Sequence, residues 1–597
     1  MARVQLIEAT GYAQAKSTTS LAIGTGETAW TLGRHTAFAA GMTVTADAGG
    51  GNTASGTVIA YDPATLALTV DVDSVAGSGT FASWVIGGSR TFYWTTGRGY
   101  VGEAFYEPRL GSHVAIERHL SREAVAFGAG SIGFGTIDLV NARFDASEAA
   151  RPLDDLRTLA WDGGAVTILS IDEADAFETA AVIARGTVER VIYPERDVAQ
   201  LLWRDPMALL DVPLLTEDFA GTTTGESSGT EGGEEMKGVR RQLCLGTVVR
   251  QEPQLANASL NLWFCSLSEM DLTAVTIAGA VQTADTEHGS MAALIAAEVD
   301  TATFESHAGA TGTWFRAGSA ITGPVRFSAT EGATGADRTV AQVWKRLLVD
   351  WAVDLDASVA AADVTALDTA QDGECGLLIA GDMTIKQAAD AIVRGAGADY
   401  WQDLGGVWRI RRLVAPSGDP DIKLRRFSPD VIAAADEIEL LDWTIDTSDG
   451  LPPSQVTLLW GRYAVQGRSE LAGEVALEDG AQLGKEWREA SYPAEPDTVI
   501  KARHKLAERR AIETAWADEA EALEEAERVW ELFAEGWLPL DLVAKEEDVA
   551  GLLEPGAVLQ VTMPAHGLDA GGLMVLRGYR TVPEDRSVVL LALGLGV

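Results

Sequence analysis

Short stretches that alternate apolar with polar residues recur near both ends of this chain, and that period-two pattern restricts its fold most. In "TVIAYDPATLALTVDVDSV", residues 57–75, Leu66, Leu68, Val70 and Val72 alternate with Ala67, Thr69, Asp71 and Asp73. That is the signature of a half-buried strand, and "DPAT" supplies a turn in which Pro63 pre-sets φ, so a β-hairpin is expected. "TIDLVNA", "AVTILSID", "AAVIARGTVERVIYP" and "VAQLLWRD" repeat the pattern within 89–213. "WLPLDLV", "AVLQVTMP", "LMVLRGYRTV" and "SVVLLALG" repeat it at the far end, with turn residues between them.

Helical spacing interrupts this β background in few places. "RTVAQVWKRLLVDWA" sets Val340, Val343, Trp344, Leu347 and Leu348 on one face. "TIKQAADAIVRGAGADYW" opens on Thr384 and closes near Gly395 and Gly397, and "GGVWRIRRL" after it reads as a strand. The clearest helix is "ADEAEALEEAERVWELFAEG", with Asp518 and Glu521 as an N-cap signature and Ala522, Ala526, Val529 and Phe533 on one face. The expected fold class is therefore multidomain, mainly β with α+β. A β domain is formed by 1–16 and 89–215, and a small all-β module of 17–88 is inserted in it. A flexible loop follows at 216–237, then a middle α+β domain at 238–414. A second β domain, 415–597, carries a helix at about 518–535.

The chain has 597 residues, 47% of them hydrophobic, so sizeable cores are expected. Its apolar runs fall short of the ~18 residues that a membrane span needs. The first residues, "MARVQLIEATGYAQAKSTTS", lack the basic start and apolar centre of a signal peptide, so synthesis in a cytoplasm is expected. Cys244, Cys265 and Cys375 are widely spaced and odd in number, which predicts buried free thiols, not a disulfide framework or a zinc knuckle. The formal charge of −41 argues against gripping nucleic acid by phosphate neutralisation; it does not exclude DNA moving past an acidic wall, which would repel the DNA and not hold it.

Two motifs imitate chemistry. Gly128, Gly130 and Gly133 have G-x-G-x-x-G spacing, with Asp154 about 20 residues on, as in a dinucleotide fingerprint. A phosphate cradle needs a helix to open there, and "FGTIDLVNARFD" reads as a strand instead. "GESSG", 225–229, matches the nucleophile elbow around Ser227 but lacks its flanking strand and helix. His113 and His119 are six apart, a poor spacing for joint ligation on one helix face. The expectation is no catalytic residue, no cofactor and no metal. "DGECG" and the charged cluster from Lys545 to Asp548 read as solvated turns, and "EALEEAER" as a solvated or inter-subunit helix face. Within 17–88, Trp30, Phe38, Tyr61, Phe81 and Trp84 suit a small β core. Trp30, Tyr61 and Trp84 are at the same time the candidates for contact with a glycan. Trp537, Leu538 and Tyr579 are expected in cores or at an interface.

Several segments, in order, resemble the tail-hub or baseplate proteins of tailed bacteriophages. "FYEPRLGSHVAIERHL", "FGTIDLVNARFDAS", "LAWDGGAVTIL", "ARGTVERVIY" and "LLWRDPMALLDVPLL" resemble their first β-barrel. "GTEGGEEMKGVRRQLCLGTV", with Lys237, Gly238, Cys244 and Gly246, resembles the loop that follows it. "LLEPGAVLQVTMPAHGLDAGGLMVLRGYRTVPEDRSVVLLALG", with Pro555-Gly556 and Gly571-Gly572, resembles the terminal barrel. Residues 17–88 are similar to a small β module of phage tail and fibre proteins, a departure from the minimal hub. The resemblance implies two hub-type β-barrels flanking the α+β domain. It also implies a non-enzymatic homotrimer in the virion that lines the DNA exit channel. Its implied partners are the tail tube or a distal tail protein, the tape-measure protein, other tip or fibre proteins, and DNA in transit. The alternative is a host-surface protein that binds glycan through the inserted module.

Overall fold

The computed structural model describes residues 3–97, 99–101, 104–122, 126–132, 135–143, 151–172, 175–224, 229–355, 357–425, 439–442, 451–465, 467–472, 483–545, 549, 552–564, 567–582 and 587–595. The protein is mainly β, with several separate sheets and a minority of helix. Its chain divides into two compact units: 1–118, 132–208 and 580–588 make one, and 119–131, 209–579 and 589–597 make the other.

The first unit is organised by one strand, Arg3–Ser17. At about 3.4 Å per residue, its length reaches about 50 Å. Its first half pairs with Ala165–Asp172, and most of its length pairs with Trp84–Thr95 on the other side. Outward from Ala165–Asp172 the sheet continues through Ala181–Glu195, Val198–Arg204 and Gly135–Val140. Outward from Trp84–Thr95 it continues through Thr43–Asp47, Thr53–Asp62, Ala67–Ala76 and Gly26–Thr31. The main strands of the 17–88 module are thus continuous with the ten-stranded antiparallel sheet of its host, while Leu21–Ala22 and Thr80–Phe81 pair with each other apart from it. Two long strands run through both parts and carry their hydrogen bonds from one to the other. The expected hairpin forms as Thr53–Asp62 with Ala67–Ala76. Leu68, Val70 and Val72 are buried, whereas Leu66 lies in the turn at φ 58°.

The second unit contains a nine-stranded sheet with Gln254–Asn257 at one edge and Gly376–Ile379 at the other, closed over a core that includes Cys244, Cys265, Phe304, Phe315 and Phe327. The helices Val340–Arg346 and Ile385–Val393 start where the sequence places them. The Thr339 and Thr384 hydroxyls each accept the N–H three residues on, and Gln387 completes a capping box with Thr384. Phe219 is buried with Phe264 and Trp314. The Gly221 and Thr223 N–H groups donate to the carbonyls of Glu231 and Gly232. The stretch expected as a flexible loop at 216–237 is therefore tied down over its described parts, because an aromatic anchor and the Glu231–Arg241 pair hold it.

The C-terminal region also departs from expectation. Trp537–Lys545, Val558–Thr562, Gly572–Val582 and Ser587–Leu595 form one sheet with Ile422–Arg425 and Glu439–Asp442. The helix Glu519–Phe533 instead covers a different sheet, Gln455–Trp460 with Arg488–Tyr492 and Arg509–Glu513. These three strands and the helix therefore form a helix-on-sheet layer of their own inside the region expected to be barrel. Asp518 caps this helix, its carboxylate accepting the Ala520 N–H at 2.8 Å. Glu525, expected on a solvated or inter-subunit face, is fully buried between Arg412 and Arg528. Trp537, Leu538 and Tyr579 are buried.

Two substitutions on this helix separate an end effect from a core effect. Asp518→Ala should cost about 1 kcal/mol in chemical denaturation, the value of one N-cap. Glu525→Ala should cost about 3–5 kcal/mol, because it strands buried guanidinium charge. The reverse ranking would contradict the burial of Glu525.

Candidate functional site

The glycine stretch can be followed atom by atom in the second unit. The Gly128 N–H donates to Asp399 Oδ1 at 3.3 Å and the Ala129 N–H to Asp390 Oδ1 at 3.0 Å. The Gly130 N–H donates to the Tyr400 carbonyl at 2.7 Å, and the Tyr400 N–H returns a bond to the Gly128 carbonyl at 3.0 Å. The loop thus adds a short pairing to the strand Ala398–Gln402. Gly128 has φ 133°, and a Cβ there would meet Asp390 Oδ1 at 2.7 Å. A Cβ on Gly130 would meet Leu120 Cδ2 at 2.8 Å and Trp401 Cβ at 3.1 Å. Gly133 lies outside the described residues, and the element that follows is the strand Gly135–Val140, not a helix.

Two carboxylates of the chain itself therefore occupy the Gly128 and Ala129 N–H groups of the loop. Asp399 is buried and bonds Arg577 Nη1 at 2.7 Å. The Arg577 Nε–H donates to the Ser121 carbonyl at 2.9 Å, and Nη2 donates to the same oxygen. Asp390 also accepts the Tyr400 hydroxyl at 3.0 Å. Burial pushes both carboxyls above the ordinary Asp range, and for Asp399 the facing Arg577 guanidinium opposes that shift. Burial and the neighbouring Asp390 push the Tyr400 hydroxyl up as well. Chemically this is a clamp that joins the segments around Ser121, Gly128, Asp399 and Arg577. It fills an anion cradle from within.

None of Asp390, Asp399 and Arg577 stands out as a site residue in the sequence. A signal was present: Arg577 interrupts the apolar run "LMVLRGY", and Asp399 sits among residues that read as core. A charge at such a position implies a buried partner. Nothing local in the sequence says that the partner lies 178 residues away.

The candidate glycan contacts lie in the first unit. Trp30 and Trp84 are 2% and 1% exposed, edge to face at 6.0 Å, and the Trp84 indole N–H donates to the carbonyls of Thr19 and Phe81. Both rings are core, so neither presents a face to a sugar. Tyr61 is half-buried, stacked on His35 at 5.8 Å and hydrogen-bonded to its Nδ1 at 2.9 Å. Ser227 of the elbow-like motif lies outside the described residues, as do 546–548. Glu374 of "DGECG" is no solvated turn residue: Arg338 holds it at 2.9 Å and the Thr247 hydroxyl at 2.7 Å. Cys244, Cys265 and Cys375 are free, and burial pushes all three thiols up. Among the described residues no group of three or more His, Cys, Asp or Glu is placed to hold a metal.

The molecule so described is a mainly β protein of extended sheets with an α+β layer. No family model matches the chain, and no curated protein matches it. Among solved structures it is similar to the tail protein from Neisseria meningitidis MC58, at 12% identity and TM-score 0.36, over 83% of this chain and 94% of that one. It is also similar to the 43 kDa tail protein of prophage MuSo2 from Shewanella oneidensis, at 10% identity and TM-score 0.37, over 83% and 96%. A prophage tail protein from Listeria monocytogenes EGD-e is similar at 6% identity and TM-score 0.32, over 80% and 87%.

The clamp yields two tests. Asp399→Asn should cost about 3–5 kcal/mol because Arg577 stays buried and charged, and adding Arg577→Met should restore part of that loss. Additive losses would show that the two side chains do not act as a pair. For Asp390, a raised folded pKa means that the folded state holds its proton more tightly. Its contribution to stability is thus full below the ordinary value of 3.8 and declines as pH rises through the raised one. Asp390→Asn should flatten that part of the stability–pH curve, measured by denaturation. An unchanged slope would contradict it.

Proposed function

We propose that the chain is a structural protein of a tailed-phage virion and, more narrowly, the tail-tip or baseplate hub that joins the tail tube to the tip. The observation that carries the proposal is the collinear series of hub-like segments. Four of them fall on four neighbouring strands of one sheet: Gly135–Val140, Val198–Arg204, Ala181–Glu195 and Ala165–Asp172. In this reading the chain works as a scaffold without catalysis. It assembles as a homotrimer whose paired β domains form a pseudo-sixfold ring against the tube or a distal tail protein. The tape-measure protein and tip or fibre proteins are its other neighbours. DNA leaves through the bore, and a charge of −41 keeps carboxylates along its path, which repel the phosphates.

Light scattering of the purified protein, together with its copy number in purified tails, tests the assembly. A trimer in solution or in the tail is expected. A monomer in both settings would overturn the hub reading.

A further inference from the structure

The second unit contains a cleft of about 740 Å³ at the point where one stretch of chain changes sheets. Arg509–Glu513 runs parallel to Gln455–Trp460, and the Thr514 N–H still donates to the Leu459 carbonyl at 2.9 Å. One residue later the chain has crossed over. The Gly376 N–H donates to the Ala515 carbonyl at 2.8 Å, Cys375 bridges Trp516, and the Ala517 N–H donates to the Glu374 carbonyl at 3.1 Å. The cleft is the fork left between the two sheets.

Along one wall the edge of the strand Gly376–Ile379 is left open. This strand pairs antiparallel with Leu243–Gly246 on its inner side. The Cys244 N–H there donates to the Ser266 hydroxyl, and the Cys244 carbonyl accepts from Ser268, so Cys244 faces away from its opposite residue, Leu378. Hydrogen-bonding directions alternate along an antiparallel strand. Gly376 and Leu378 therefore point outward, and Ala515 covers only Gly376. The Leu378 N–H and C=O line the cleft with no partner among the described residues. An unpaired donor–acceptor pair on a strand edge is what an added strand uses.

Charge narrows the choice of guest. The lining holds two guanidiniums, and each has a carboxylate of the lining beside it: Arg462 pairs with Glu486 at 3.0 Å and Arg394 lies 3.8 Å from Asp390. Glu513 has no ion pair among the described residues, and Glu252 has only Arg326 at 3.8 Å while 70% exposed. The lining thus holds surplus negative charge on a chain of −41, which disfavours a second copy as the occupant.

We propose that this fork takes up an extended, positively charged segment of another protein, which adds as a strand beside Leu378 with Lys or Arg side chains near Glu513 and Glu252. The proposal stands apart from the hub reading, because it rests on the free chain alone.

Capped hexapeptides in which Lys alternates with Val or Thr provide the probe, added to the full chain while amide exchange over 376–380 is followed by mass spectrometry. The expected result is saturable slowing of exchange in that segment. Backbone N-methylated peptides and Glu-for-Lys peptides should give none. Glu513→Lys or Glu252→Lys should each weaken the effect by about two- to fivefold, as for an exposed ion pair, with exchange elsewhere unchanged. Unaltered exchange at saturating Lys peptide would overturn the proposal. So would equal protection by the methylated peptides, protection that appears with protein concentration alone, or protection by N-acetylchitotriose in place of peptide.

Discussion

A buried charge must be answered from within the protein, and in the second unit that requirement ties distant parts of the chain together. Arg577 and Asp399 are both nearly sealed from solvent, and neither could stay there alone. Arg577 also binds the Ser121 carbonyl, and Asp399 also accepts the Gly128 N–H. One ion pair thereby ties together three parts of the chain that lie far apart in sequence: Ser121 with Gly128, then Asp399, then Arg577. The glycines answer the same constraint. Gly128 and Gly130 have no Cβ because carboxylate, aromatic and aliphatic groups fill the space where one would lie.

Much of the fold was legible where a pattern is local. The caps at Thr384 and Asp518, the buried face of Glu519–Phe533 and the strands on both flanks follow from residues within one turn or one strand of each other. What escaped depends on long-range pairing. The periodicity of 17–88 reports strands but not that Arg3–Ser17 and Trp84–Thr95 carry the host sheet into the module. The helix Glu519–Phe533 reads as amphipathic, but its partner sheet comes from 455–513 and not from the strands that follow it. Glu525 looks like any surface carboxylate until Arg412 arrives from another strand. The aromatics were assignable to a core by module size, and Trp30 and Trp84 lie there.

The glycine motif holds a lesson in physical terms. G-x-G-x-x-G spacing offers backbone N–H groups to whatever is negative and close. In a nucleotide site that is a phosphate at a helix N-terminus. Here it is Asp399 and Asp390, with a strand after the loop, so the same spacing serves packing.

Imaging the tip of the assembled tail particle tests the hub reading most directly. The predicted result is density for this chain around the tail axis in threefold arrangement, with its β domains against the tube and carboxylates along the bore. Density for the chain only on peripheral fibres, or none in the particle, would contradict it.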